Sequence, residues 1–225
     1  MSVNATLGGV PGFLAVPAGK GPWPTLIVVQ EWWGLDAQTE SIATRFAAEG
    51  YLAFAPDLYR GDLAALGDNQ AAMSYVQKHA AHNVPDMVNA FDALKSHPDS
   101  TGRVGSVGFC FGGRMSLALG IERPVDAVCT FYGGQMQTLF DRMTTFHSPV
   151  LGFFGDEDVS IPSGTIEEFR VLLNKLGVEN QVIVYPKSGH AFFRDSDPHA
   201  YRPHAAQDSW IVTKTFFKKH LVENK

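Results

Sequence analysis

Six short apolar runs recur along the chain, at Leu26 to Val29, Tyr51 to Ala55, Val104 to Phe109, Val125 to Tyr132, Val150 to Phe154 and Val182 to Tyr185. Each has the length of a strand, and their near-continuous apolarity suits strands covered on both faces. Between them the apolar positions take a helical period, over Gln38 to Glu49, Val84 to Ser96, Arg114 to Gly120, Thr165 to Leu176 and Ala205 to His220. Strands alternating with helices predict βαβ units. The class is therefore α/β, a mostly parallel, doubly wound sheet with helices on both faces. The stretch from Val3 to Pro17, with turn residues at Gly8, Gly9, Pro11 and Gly12, predicts an antiparallel hairpin at one sheet edge. Gly61 to Gln70 reads as a loop before a short helix, Gln70 to Ala80. Following a parallel strand, it falls at the carboxyl end of the sheet, where such sheets bind ligands, so it is either a wall of a site or a plain surface loop. No repeat, low-complexity tract or linker divides the sequence, and a single domain over residues 1–225 is expected.

Composition narrows the function. With 18 basic against 23 acidic side chains and a net charge of −5, the chain lacks the basic excess of a nucleic-acid or polyanion binder. No apolar run approaches the ~20 residues that span a bilayer. The opening Met1-Ser2-Val3-Asn4-Ala5-Thr6 lacks the charged and apolar regions of a signal peptide. Two cysteines, Cys110 and Cys129, make a poor disulfide framework. A cytoplasmic protein is the expectation, monomeric or a small homo-oligomer, with a small-molecule substrate and no cofactor or metal.

The most informative stretch is Val107-Gly108-Phe109-Cys110-Phe111-Gly112-Gly113-Arg114. It has the form G-x-C-x-G between an apolar strand and a helix, the cysteine version of the nucleophile elbow of α/β-hydrolases. The nucleophile of such an elbow sits on a tight turn, so residues two positions away must be small enough for strand and helix to approach. Cys110 then stands at the amino end of the following helix, whose dipole favours negative charge on sulfur. The Phe111 amide points to the same spot and can hold an oxyanion. Cys129, in mid-strand, reads as a buried structural thiol.

A nucleophile needs a base and an orienter, which in these folds follow in the order acid, then histidine. After the strand Val150 to Phe154 come Asp156, Glu157 and Asp158, and Asp158 fits the pattern G-x-x-D-x-x-[VI]-P better than Asp156. Past the last strand lies Gly189-His190-Ala191-Phe192, where the general base belongs. His79, His82, His97 and His220 read as surface residues, and His199 and His204 form no recognisable metal set with His190. The second oxyanion donor is expected from Gln30-Glu31-Trp32-Trp33-Gly34, at the Trp32 amide. Glu31 would lie near the sulfur, and beside two tryptophans it is costly without a cationic or hydrogen-bonding partner.

These residues resemble the dienelactone hydrolase family of α/β-hydrolases over almost the whole chain. The likeness is carried by Gln30 to Gly34, Ala55-Pro56-Asp57-Leu58-Tyr59, Gly108 to Gly113, Phe131-Tyr132-Gly133, the Asp158 segment and Gly189 to Phe192. The resemblance implies a triad of Cys110, Asp158 and His190, a Glu31 that interacts with the nucleophile, and an oxyanion hole at Trp32 and Phe111. Arg194 stands where the family's dienelactone hydrolases carry an arginine for the substrate carboxylate, and Trp33 and Tyr132 are expected to contact substrate. The family's second carboxylate-binding arginine has no match: Gly61 to Gln77 contains none, and Arg60 or Lys78 is the candidate substitute, neither securely at its position, which leaves a different ester or lactone open as substrate. The expected activity is hydrolysis of a lactone or carboxylic ester. A thioesterase or peptidase of the same fold, or a non-catalytic thiol sensor using Cys110, are the alternatives. The presence of all three triad types in order argues against the sensor.

Overall fold

A computed structural model of the chain describes residues 2–223. Met1, Asn224 and Lys225, which the expected domain also spans, lie outside the described residues. Strands β1 (Ser2–Leu7), β2 (Val10–Ala15), β3 (Trp23–Val29), β4 (Leu52–Pro56), β5 (Ser100–Phe109), β6 (Ala127–Phe131), β7 (Val150–Gly155) and β8 (Asn180–Tyr185) form one sheet in the order β1-β2-β4-β3-β5-β6-β7-β8. The hairpin β1–β2 turns through Gly8 and Gly9, both at positive φ (60° and 78°), which only glycine adopts without strain. β2 runs antiparallel to β4, and every pairing from β4 to β8 is parallel.

Helices α1 (Ala37–Ala48), α2 (Asn69–Lys95), α3 (Phe111–Glu122), α4 (Ser163–Lys175) and α5 (Pro203–Phe217) cover the two faces. The step from β3 to β4 runs one way along the sheet, and every later step runs the other way. Right-handed crossovers therefore put α1 on one face and α2, α3 and α4 on the opposite one. α5 returns over the face of α1, where Phe46 meets Trp210 and Phe217 at ring-centroid distances of 4.6 and 6.0 Å. On the other face α2 packs on α3, and the 3-10 stretch Met136–Thr145 contacts both α3 and α4. Because β3 lies between β4 and β5, the connections leaving β3 and β5 part company at their carboxyl ends and open a crevice there.

Three expectations are corrected. The segment split in the sequence reading into Gln70 to Ala80 and Val84 to Ser96 is one helix, α2, which runs through Pro85. Proline removes one backbone donor. Here the helix is held by burial of Asn83, Asp86, Met87, Ala90, Phe91 and Leu94 on either side of it. The strand β8 is an edge, not covered on both faces, and its Val184 is exposed. His79 and His220 are buried, not superficial: His79 stacks on Tyr59 and hydrogen-bonds Asp62 at 2.7 Å, and His220 packs on Phe216. Cys129 is fully buried in β6, and burial pushes its thiol pKa up. Among the described residues no helix is long and apolar enough to cross a membrane.

Candidate active site

Cys110 sits between β5 and α3 at φ 53°, ψ −116°, a conformation that L-residues rarely adopt and that the surroundings must enforce. Its amide donates to the Phe131 carbonyl at 3.0 Å, and its carbonyl accepts from the Gly113 amide at 3.0 Å. The two flanking glycines are steric requirements. A Cβ on Gly108 would overlap the Gly112 carbonyl, and a Cβ on Gly112 would come within 2.5 Å of the Gln30 carbonyl oxygen. Both obstacles are backbone and cannot swing aside. Gly112→Ala is accordingly expected to lower stability by about 1–3 kcal/mol, read as a shift in the urea midpoint at unchanged slope.

Tyr132, Gln135 and Ala191 share the positive-φ region at 39°, 58° and 62°. Strained backbone thus gathers around one cavity of about 440 Å³, which Cys110, Gln135 and Ala191 line. Trp32 and Phe111 line it too. Phe111 opens α3, so its amide is one of the first-turn N–H groups that find no acceptor within the helix. The Gly61–Gln70 segment supplies Leu66 to the wall, beside Met73 and Val76 of α2, which makes that side of the cavity apolar.

Opposite this wall, His190 Nδ1 lies 2.7 Å from Asp158 Oδ2, and the Asp158 side chain is buried. Burial alone would depress the His190 pKa. Hydrogen bonds with Asp158 and Cys110, and their negative charge, outweigh it and raise the value to about 10. Asp158 shows the converse: burial would raise it, but the His190 and Ser160 contacts hold it below the usual carboxylate range. Asp156 is exposed and, among the described residues, its side chain accepts from the Ser188 amide alone, at 3.4 Å, while Glu157 is exposed as well.

The remaining residues form a second cluster. Glu31 is buried, accepts from the Tyr132 hydroxyl at 3.3 Å, and pairs with Arg194 Nη1 at 3.2 Å. Burial raises its pKa more than Arg194 lowers it. Arg194 Nη2 pairs with Asp36 at 2.5 Å, and Asp36 also caps α1 by accepting from the Thr39 amide. Arg194, expected to meet a substrate carboxylate, therefore already faces two protein carboxylates, although it borders the cavity. Tyr132, expected to touch substrate, is fully buried behind the cavity, whereas Trp33 does line it. Arg60 is held by both oxygens of Asp86, and Lys78 pairs with Asp62.

Three polar residues here escaped the sequence reading. Ser160 donates to Asp158 through both its amide and its hydroxyl, and its hydroxyl lies 3.1 Å from His190 Nδ1. Its signal was the aspartate two residues earlier, the spacing of an Asx turn. Asp36 carried the signal of a helix cap. Arg114, one turn into α3, lines the cavity and donates from Nη1 to Gln135 Oε1 at 2.9 Å.

A doubly wound sheet with its crevice at the strand ends, a strained turn bearing Cys110 after β5 and an Asp–His pair past β7 and β8 make this an α/β-hydrolase. The family model of the dienelactone hydrolase family matches residues 10–221, and the chain belongs to that family. A Methylorubrum extorquens protein named "Putative carboxymethylenebutenolidase" is 34% identical over 96% of this chain and 78% of its own length. "Protein usf" of Aquifex pyrophilus is also 34% identical, over 94% of each chain. The crystal structure titled "Putative Dienelactone Hydrolase" from Klebsiella pneumoniae superposes with a TM-score of 0.86 at 27% identity, covering 97% of this chain and 98% of that one. The protein is a hydrolase of ester or lactone bonds.

Proposed function

We propose that this hydrolase cleaves a lactone or activated carboxylic ester by acyl transfer to Cys110, with Asp158 and His190 completing a triad. The observation that carries the reading is the 2.7 Å Asp158–His190 hydrogen bond, with His190 and the strained Cys110 on one cavity. The Cys110 thiolate attacks the carbonyl carbon, and the carbonyl π pair moves to oxygen, where the Trp32 and Phe111 amides hold it. Collapse of that intermediate breaks the bond to the leaving oxygen, which takes the proton of the His190 imidazolium. A lactone ring opens in this step to a tethered thioester. His190, now neutral and oriented by Asp158, removes a proton from water as the water attacks the thioester. The second collapse releases the acid and regenerates the thiolate–imidazolium pair.

The leaving groups follow from the nucleophile. A thiolate leaves more easily than an alkoxide, so the first intermediate collapses forward only when the substrate oxygen is itself a good leaving group. Enol lactones and aryl esters are therefore turned over and amides are poor. Glu31 lines the same cavity as a buried carboxyl that Arg194 and Tyr132 hold in place. The expected result of a panel of carboxylated enol lactones, neutral enol lactones, aryl esters and aryl amides is steady turnover of the first three classes and little of the last. A single stoichiometric modification of Cys110 without turnover would instead favour the thiol sensor.

A further inference from the structure

We infer that Arg114, with Gln135 beside it, is the anchor for an anionic group on the substrate. The inference rests on the ester- and lactone-hydrolase reading and adds where the substrate's charge lies. It starts from the charges around the cavity. On one side Arg194 is shared by Glu31 and Asp36, and Asp197 adds a further carboxylate to the lining. Arg60 and Lys78, which do not line the cavity, are tied to Asp86 and Asp62. The positive charges nearest the expected positions are thus matched or outnumbered by protein carboxylates.

Arg114 is different. Among the described residues no carboxylate pairs with it; its one hydrogen-bond acceptor is the neutral amide of Gln135. Its Nε is buried without an acceptor. Burial lowers its pKa, and only Cys110 and Tyr59 act against that. The Tyr59 phenol is buried, and burial holds its pKa far above neutrality, so it supplies no counter-charge. The Phe111 ring, 5.7 Å from the guanidinium carbon, supports one face of the group. A desolvated guanidinium costs free energy until an anion meets it, and its planar fork suits a carboxylate. Gln135 is exposed, and its amide nitrogen offers two further donors at the cavity mouth. A substrate acylating Cys110 would therefore direct its carboxylate along α3 toward Arg114, away from Asp197.

Two aryl esters that differ by one methyl test this: 4-nitrophenyl hydrogen glutarate, which is anionic, and 4-nitrophenyl methyl glutarate, which is neutral. Wild type is expected to prefer the anion in kcat/KM. Arg114→Met is expected to cut the anion-over-neutral ratio by about tenfold or more, chiefly through KM for the anion, the range of a charge-assisted hydrogen bond. Arg114→Lys, which keeps the charge, should retain part of the preference. An unchanged ratio in Arg114→Met overturns the inference. So does an equal loss on both esters, which would mean that Arg114 serves the charge on Cys110 instead. A second measurement needs neither turnover nor a variant: glutarate should slow iodoacetamide labelling of wild-type Cys110 more than dimethyl glutarate does. Equal protection by the two would also overturn it. Failure of wild type to turn over either ester would count against the hydrolase mechanism and leave this protection measurement to decide the anion site.

Discussion

Cys110→Ala is expected to remove turnover of aryl esters and lactones by about 10⁴- to 10⁶-fold while the protein stays folded. The large loss follows because, among the described residues lining the cavity, Ser160 is the one other hydroxyl or thiol and is already engaged. Cys129 is sealed in β6, and Ser160 is committed to Asp158. Folding should survive because the elbow's geometry is set by the Phe131 and Gly113 backbone contacts and by Gly108 and Gly112, not by the sulfur. The variant should also change a neighbour. Hydrogen bonding and charge at Cys110 help to raise His190 to about 10, so an NMR titration of His190 should move to lower pH in Cys110→Ala. Activity above about a tenth of wild type would place the nucleophile elsewhere, and an unmoved His190 titration would mean that sulfur and imidazole are not coupled.

What the sequence made legible was local or was fixed by the order of the strands. The elbow is a turn of a few residues whose steric demand falls on Gly108 and Gly112, so the pattern G-x-C-x-G with a strand before it carries the geometry. That Asp158 and His190 meet could be expected because each follows a strand, and parallel strands bring all such loops to one end of the sheet. Physics also required that Glu31 have a partner, but nothing local said which. Arg194 lies 163 residues away in sequence, and the same contact that satisfies Glu31 removes Arg194 from the charges left for a ligand. Long-range pairings of this kind hid the fate of Arg60 and Lys78 as well. The burial of His79 was equally invisible, because its stacking on Tyr59 depends on where α2 crosses the turn after β4. The division of α2 between Ala80 and Val84 failed for a different reason: the buried face of the helix continues on both sides of Pro85.

Asp158→Asn is expected to lower kcat/KM on the order of 10²- to 10⁴-fold, whereas Asp156→Asn should stay close to wild type. The two aspartates follow the same strand, but only Asp158 reaches His190 and is buried. Asparagine would keep the shape and lose the charge, so imidazolium is no longer favoured and the wrong tautomer becomes accessible. The loss is smaller than for the nucleophile because a thiolate needs less help from a base than a hydroxyl does. The pH dependence supplies the sign. In wild type the His190 pKa, about 10, stands above its ordinary value of 6.5. Its contribution to stability is therefore complete below about pH 6.5 and is lost as pH rises through about 10. Asp158 is depressed below its ordinary 3.8, so its contribution is present above that value and disappears as pH falls through the lowered pKa. In Asp158→Asn the alkaline loss of both stability and leaving-group protonation should begin at lower pH, because His190 gives up its proton sooner. Urea midpoints and kcat/KM followed from pH 6 to pH 10 would register the shift together. If Asp156→Asn moved the alkaline limb and Asp158→Asn did not, the acid of the triad would be the other aspartate.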